Sequence, residues 1–188
     1  MDLKNYFDNN QHEKNTELCV IMNESGSDKG SGHHNYTTFY NYIFNDIRKE
    51  AKLVFELGLG TNNLSILSNM SGDGTPCGSL RGWRTYFENA DIYGADIDKD
   101  ILYQEDRIKT FHCDQTNPES IKSMWSNIDQ KFDVIIEDGL HTFEANKTFF
   151  DNSIDFLRDG GIFIIEDVDQ RIFTDIEKFI EERKSNYK

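Results

Sequence analysis

The sequence predicts an α/β protein: a doubly wound, mostly parallel sheet with helices on both faces. Three observations predict it. Short apolar runs alternate with longer helical patterns over most of the chain, which is how a parallel sheet covered by helices is written in sequence. Two of these runs, in "DVIIEDGLH" and "GGIFIIEDVD", are hydrophobic enough to be buried, yet both halt on a Glu-Asp pair. The length of 188 residues suits one domain with a substantial core.

Taken in order, the first fifty residues are polar and then amphipathic. Asp28-Lys29-Gly30-Ser31-Gly32-His33-His34 reads as a loop, and Tyr36 to Lys49 places Phe39, Tyr42, Ile43 and Ile47 at helical spacing. Residues 1–50 are read as a leader, loop and helix able to act as a lid, and residues 51–188 as the main domain. Strands are expected at Leu53–Leu57, Ile92–Ala95, Ile108–Cys113, Phe132–Ile136 and Gly161–Ile165. The clearest helix runs from Thr142 to Arg158, with Phe143, Phe150, Ile154 and Leu157 on one face and Gly160-Gly161 as its stop. A charged helix, "DIEKFIEERKSNYK", follows the last strand.

Composition narrows the function. A formal charge of −14 without a basic run argues against a nucleic-acid binder, whose affinity comes from Lys and Arg on phosphates. No 18-residue apolar stretch is present for a membrane span, and the polar start lacks the apolar core of a secretory signal, so a cytoplasmic location is expected. Cys19, Cys77 and Cys113 form no CxxC pair and are read as reduced, structural residues.

A doubly wound sheet binds ligands outside the carboxyl ends of its strands. There, "VFELGLGTNN" gives Glu56, Gly58 and Gly60 as E-x-G-x-G. A dinucleotide site usually needs a third glycine where this chain has Asn63, which disfavours NAD. Asp96 ends the second strand in "IYGADID", and "FHCDQTNP" offers Asp114 and Gln115 after the third. With these features the sequence resembles the class I S-adenosylmethionine (SAM)-dependent methyltransferases, whose Rossmann-like sheet has seven strands. The resemblance implies that Glu56, Gly58 and Gly60 form the cofactor turn. It also implies that Asp96 holds the ribose, with Asp98 a weaker substitute, and that Asp114 and Gln115 sit near the adenine.

The second acidic pattern points to a metal. Asp138 and Asp167, at adjacent strand ends, can converge on Mg²⁺ or another hard divalent cation, which asks for oxygen ligands and keeps positions for substrate. His141, three residues after Asp138, is placed to take a proton from an acceptor hydroxyl near neutral pH. "IIEDGLH" with "IIEDV", joined by "SDKGSGHHNYTTFY" and "GSLRGWRTYF", resembles the metal-dependent O-methyltransferases that modify sugars of macrolides and related bacterial saccharides. It is similar, more distantly, to catechol O-methyltransferases. The resemblance implies metal ligands Asp138 and Asp167, a catalytic base His141, and a sugar or saccharide precursor as acceptor. Val168 stands where the catechol enzymes have an asparagine ligand, leaving Glu56, Glu166 and Asp169 as candidates for a third.

Other positions carry thinner signals. Ser79 and Arg81 could hold the cofactor's carboxylate. His33, His34 and Tyr36 could belong to the lid. His12 and His112 read as incidental, Trp83 and Trp125 as packing residues, and Glu137 and Glu166 as solvated strand ends. Nothing after Ile165 reads as strands six and seven of the methyltransferase sheet. The edge is therefore expected to be open, inviting a homo-oligomer unless the chain is shortened.

Overall fold

The computed structural model describes Tyr6, residues 15–72 and residues 74–186; His12 lies outside them. Two helices come first, α1 (Glu17–Glu24) and α2 (Tyr36–Phe44). They are followed by β1 (Leu53–Leu57), α3 (Gly78–Tyr86), β2 (Asp91–Asp96), β3 (Gln104–Glu105), β4 (Ile108–His112) and α4 (Pro118–Ile128). The chain continues with β5 (Phe132–Glu137), α5 (Phe143–Ser153), β6 (Leu157–Ile165) and α6 (Phe173–Arg183). Among the described residues the strands form one sheet in the order β3-β4-β2-β1-β5-β6. All neighbours are parallel except β3 and β4. The predicted fold class is observed, and the short antiparallel β3 is an addition to it.

Both faces of the sheet are covered, which explains the unbroken apolar runs. On one face Leu18, Met22, Tyr40, Phe44, Leu80 and Trp83 pack on Val54, Ile92, Ile108 and Val134. On the other, Ile121, Trp125 and Phe149 pack on Phe55, Tyr93 and Ile135. α1 and α2 thus share a core with the central strands. Both tryptophans are fully buried packing residues, as read from the sequence. The three cysteines are free and buried. Among the described residues no helix is long and apolar enough to cross a membrane.

The expected helix over 142–158 is shorter than its pattern. It ends at Ser153, passes through one 3-10 turn (Ile154–Phe156), and Leu157 already begins β6. Gly160-Gly161 does not stop a helix; it lies in an irregularity of β6, where pairing jumps from Phe132–Leu157 to Val134–Ile162 and Gly160 takes a positive φ of 76°. The predicted aromatic face is shared between α6 and the edge strand. Phe143 and Phe150 meet Phe179 of α6 at 6.2 and 5.2 Å between ring centroids, and Phe150 also meets Phe163 of β6 at 5.0 Å, while Ala145, Phe149 and Ser153 are buried. The helix predicted to reach Lys49 is regular only to Phe44. Among the described residues no strand covers the outer edge of β6.

β1 is central, with β2 and β4 to one side and β5 and β6 to the other. The direction of winding reverses between β1 and β5, and in such sheets that is where a cleft opens at the carboxyl edge.

Candidate functional site

Hydrogen bonds carry the sheet ladder one residue beyond the strands. Gly58 N donates to Ala95 O, Asp138 N to Leu57 O, Glu166 N to Glu137 O and Cys113 N to Asp96 O, each at 2.9 Å. The acidic strand ends are thereby held in register around a cavity of about 720 Å³. It is lined by Glu56, Gly58, Gly60, Ser79, Asp96, Asp114, Gln115, Asp138, His141 and Asp167, so all but one of the sequence-predicted site residues meet there. The exception is Arg81, which turns to the β3 edge, bonds Glu105 at 3.2 Å and lies over the Tyr103 ring. Sequence places it only two residues from Ser79, but on a helix that step swings the side chain to another face.

On the β1 side the turn is built by glycine. Gly58 (φ 83°) and Gly60 (φ 71°) adopt backbone that other residues rarely take. A side chain at 58 would run into the Asp138 carbonyl, and one at 60 into Met70, so both glycines are required by protein neighbours. Asp96 accepts from Leu59 N at 2.7 Å and from Asp98 N at 2.8 Å, which stitches the ends of β1 and β2 together. Burial pushes its carboxyl above the usual range, against those backbone bonds. Asp98 instead receives the Thr61 hydroxyl and does not line the cavity. Asp114 accepts from Thr116 N at 2.9 Å and the Thr116 hydroxyl at 2.7 Å.

Gln115 has a further structural part. Its Nε2 donates to Glu137 Oε1 at 2.5 Å, and its Oε1 accepts from Leu140 N at 2.8 Å. It therefore clamps the segment leading from β5 to His141. A side chain at Gly139 would occupy the place of the Gln115 amide, which is why glycine stands there.

The acids of β5 and β6 surround His141. Its Nε2 lies 3.6 Å from Asp167 Oδ2 and 3.9 Å from Asp138 Oδ1, while its Nδ1 is buried without a hydrogen-bond partner. One ligand atom from each of the three residues falls within 4.8 Å of the others. Two half-buried carboxylates beside an imidazole are a donor set whose oxygens fit a hard divalent cation with positions to spare. His141 (φ 56°) and Asp167 (φ 52°) both sit in the left-handed region, a strain of about 1–2 kcal/mol each that the surrounding ladder bonds enforce. The Tyr36 hydroxyl donates to Asp167 Oδ1, and His34 stacks on Tyr36 at the cavity wall. His33 is exposed and His112 points to solvent.

Glu137 and Glu166 are not solvated strand ends: they are 1% and 4% exposed. Each is buried because a donor waits for it. Glu137 receives Gln115 and Gly139 N, and burial still pushes its pKa up to about 7. Glu166 receives the Tyr40 hydroxyl and the ammonium of Lys29 at 2.6 Å. Lys29 is the residue that sequence reasoning missed. Its Nζ also lies 2.6 Å from Asp138 Oδ2 and 3.3 Å from Glu56 Oε1, inside the protein. Burial alone would lower its pKa, yet the carboxylates of Asp138, Glu166 and Glu56 raise it well above the usual range, so it stays charged. Of the candidates for a third metal ligand, Glu56 and Glu166 face this ammonium. Asp169 pairs with Arg171 at the surface, which leaves His141 beside the two aspartates.

Comparison with known proteins agrees with this architecture. No protein-family model matches the chain. It is 33% identical over 151 residues to the 8-demethyl-8-α-L-rhamnosyl tetracenomycin-C 2'-O-methyltransferase of Streptomyces olivaceus, covering 80% of this chain and 37% of that protein. It is 33% identical over 135 residues to the demethylmacrocin O-methyltransferase of Streptomyces fradiae, covering 72% and 32%. A solved structure of the MycE methyltransferase from the mycinamycin biosynthetic pathway, in complex with Mg, SAH and mycinamycin VI, superposes with a TM-score of 0.68. The identity there is 28%, covering 82% of this chain and 40% of that one. The fold is thus the methyltransferase fold, and the relatives are sugar O-methyltransferases of tetracenomycin and macrolide biosynthesis. The chain spans about two-fifths of their length or less.

Proposed function

We propose that this chain is a SAM-dependent, divalent-metal-assisted O-methyltransferase acting on a hydroxyl of a sugar or saccharide precursor. The observation that carries the reading is the convergence of Asp138, His141 and Asp167 at the cavity that Gly58, Gly60, Asp96 and Asp114 also line. When bound, the cofactor would supply an electrophilic methyl group and the ion, most simply Mg²⁺, would acidify the acceptor hydroxyl. Gly58 and Gly60 let the backbone come close to a ligand in the cavity, with Glu56 and Ser79 at its floor. Asp96 would hold ribose hydroxyls through lone pairs left by its two backbone bonds, and Asp114 and Gln115 would flank the adenine. Asp138 and Asp167 would hold the ion. His141, on the segment that the Gln115 clamp holds, would take the acceptor proton at Nε2.

The loop of residues 27–36, which brings Lys29, His34 and Tyr36 to the cavity, would act as the lid over the acceptor. The uncovered edge of β6 would be a pairing surface for a second copy, and action in the cytoplasm suits a soluble acceptor; neither membrane nor nucleic acid enters the reading. Incubation with SAM, Mg²⁺ and a panel of sugar nucleotides and glycosides, read by mass spectrometry, tests it. A methylated product that disappears with EDTA is expected. Calorimetry showing no SAM binding, with no product from any acceptor, would end the proposal.

A further inference from the structure

Lys29 is delivered into the acid cluster by a tightly tied loop. Its N–H donates to Ser27 Oγ at 3.3 Å and its carbonyl accepts from Thr37 N at 3.1 Å; His33 N and Asn35 N both close onto Gly30 O. The side chain is 2% exposed and its ammonium meets one carboxylate from each of β1 and the ends of β5 and β6: Glu56, Asp138 and Glu166. An ammonium has three hydrogens, and three acids surround it. Asp138 is the shared member. Its Oδ2 is held by Lys29 at 2.6 Å, so only Oδ1 is presented to His141 and Asp167. Take the ammonium away and three oxygen donors from three strands would enclose a buried space, the kind of pocket a hard cation fills. Left empty, that pocket would be strongly unfavourable, because buried carboxylates without a counter-charge repel one another and have lost their water.

We propose that Lys29 is a positioning residue: a built-in cation that occupies the inner half of the acid cluster, fixes the orientation of Asp138, and confines an exchangeable divalent ion to Asp138 and Asp167, beside the base His141. The inference rests on the reading of Asp138 and Asp167 as a metal centre. It assigns the chain one divalent ion although its acids could surround two.

Mn²⁺ titration of the metal-free protein, followed by calorimetry and by electron paramagnetic resonance of free Mn²⁺, tests it. Wild type is expected to take one ion, and Lys29→Ala two, the second replacing the lost ammonium. Thermal melts give a second measurement. Added Mn²⁺ raises the melting temperature of Lys29→Ala more than that of wild type, and Lys29→Ser behaves in the same way. One ion in both wild type and Lys29→Ala overturns the lysine assignment and leaves the metal centre standing, as does a wild type that takes two. A wild type that takes none overturns the metal centre and the assignment with it. If neither variant folds at any Mn²⁺ concentration, the ion cannot stand in for the ammonium and the assignment fails.

Discussion

The two ends of β5 carry the same chemistry to opposite purposes. At the amino end, Asp133 is almost fully buried; its Oδ2 accepts from Lys52 N at 2.6 Å and Leu53 N at 2.8 Å, and Arg158 pairs with the other oxygen. It ties the start of β1 and the irregularity of β6 to β5. At the carboxyl end, Glu137 keeps one buried oxygen without a partner, and Asp138 divides itself between a buried lysine and an open cavity. One end is tied into the sheet by two backbone N–H groups and a guanidinium, and the other presents Asp138 to the cavity. Burial of an acid does not by itself mark a site; Asp138 is marked by an oxygen presented to the cavity and to His141.

The largest effect is expected at His141. His141→Ala is expected to lower methyl transfer by about 10²–10⁴-fold, the usual worth of a general base, while the melting temperature stays near wild type, because alanine keeps the β-carbon that makes the left-handed backbone unfavourable. Asp133→Ala should do the converse: a loss of about 2–4 kcal/mol in denaturant unfolding, because two backbone N–H groups and a guanidinium lose their partner, with SAM affinity unchanged in calorimetry. If Asp133→Ala weakened cofactor binding as much as stability, the two ends would not be separable.

Glu137 sharpens the contrast through pH. Its pKa is raised in the folded protein from 4.5 to about 7, so the folded state holds the proton more tightly than the unfolded state. That contribution is fully present below about pH 4.5 and is lost as pH rises towards 7, on the order of 3 kcal/mol in all. In the metal-free protein, Glu137→Gln should flatten the pH dependence of the melting temperature across that window; an unchanged slope would place the titration elsewhere. The smallest effect is expected at the exposed Asp169–Arg171 pair, where Arg171→Ala should leave both melting temperature and metal affinity unmoved.

The sheet was legible because burial on two faces writes itself as apolar runs, and β1 was read to the residue. The glycines and the strand-end acids were legible because their order along the chain matches their order around the cavity. What could not be read was partnership. Glu166 looked solvated because nothing near it in sequence neutralises it; its counter-charge, Lys29, lies 137 residues away in a glycine-rich loop. Arg81 misled for the same reason, since Glu105 draws it to the opposite side of α3. Helix 142–158 misled because Gly160-Gly161 can stop a helix or relieve a strand, and pairing with β5 decides which.

Gly58 has a consequence for how such a protein can change. Its α-carbon rests against the carbonyl of Asp138, with no space for even a methyl group between them. The glycine turn and the end of β5 therefore touch directly, and drift on one side must be matched on the other. Selection for a new acceptor would find its freedom in the irregular 61–72 segment bordering the cavity, where Leu64 and Leu67 already stand open to solvent, rather than at either turn.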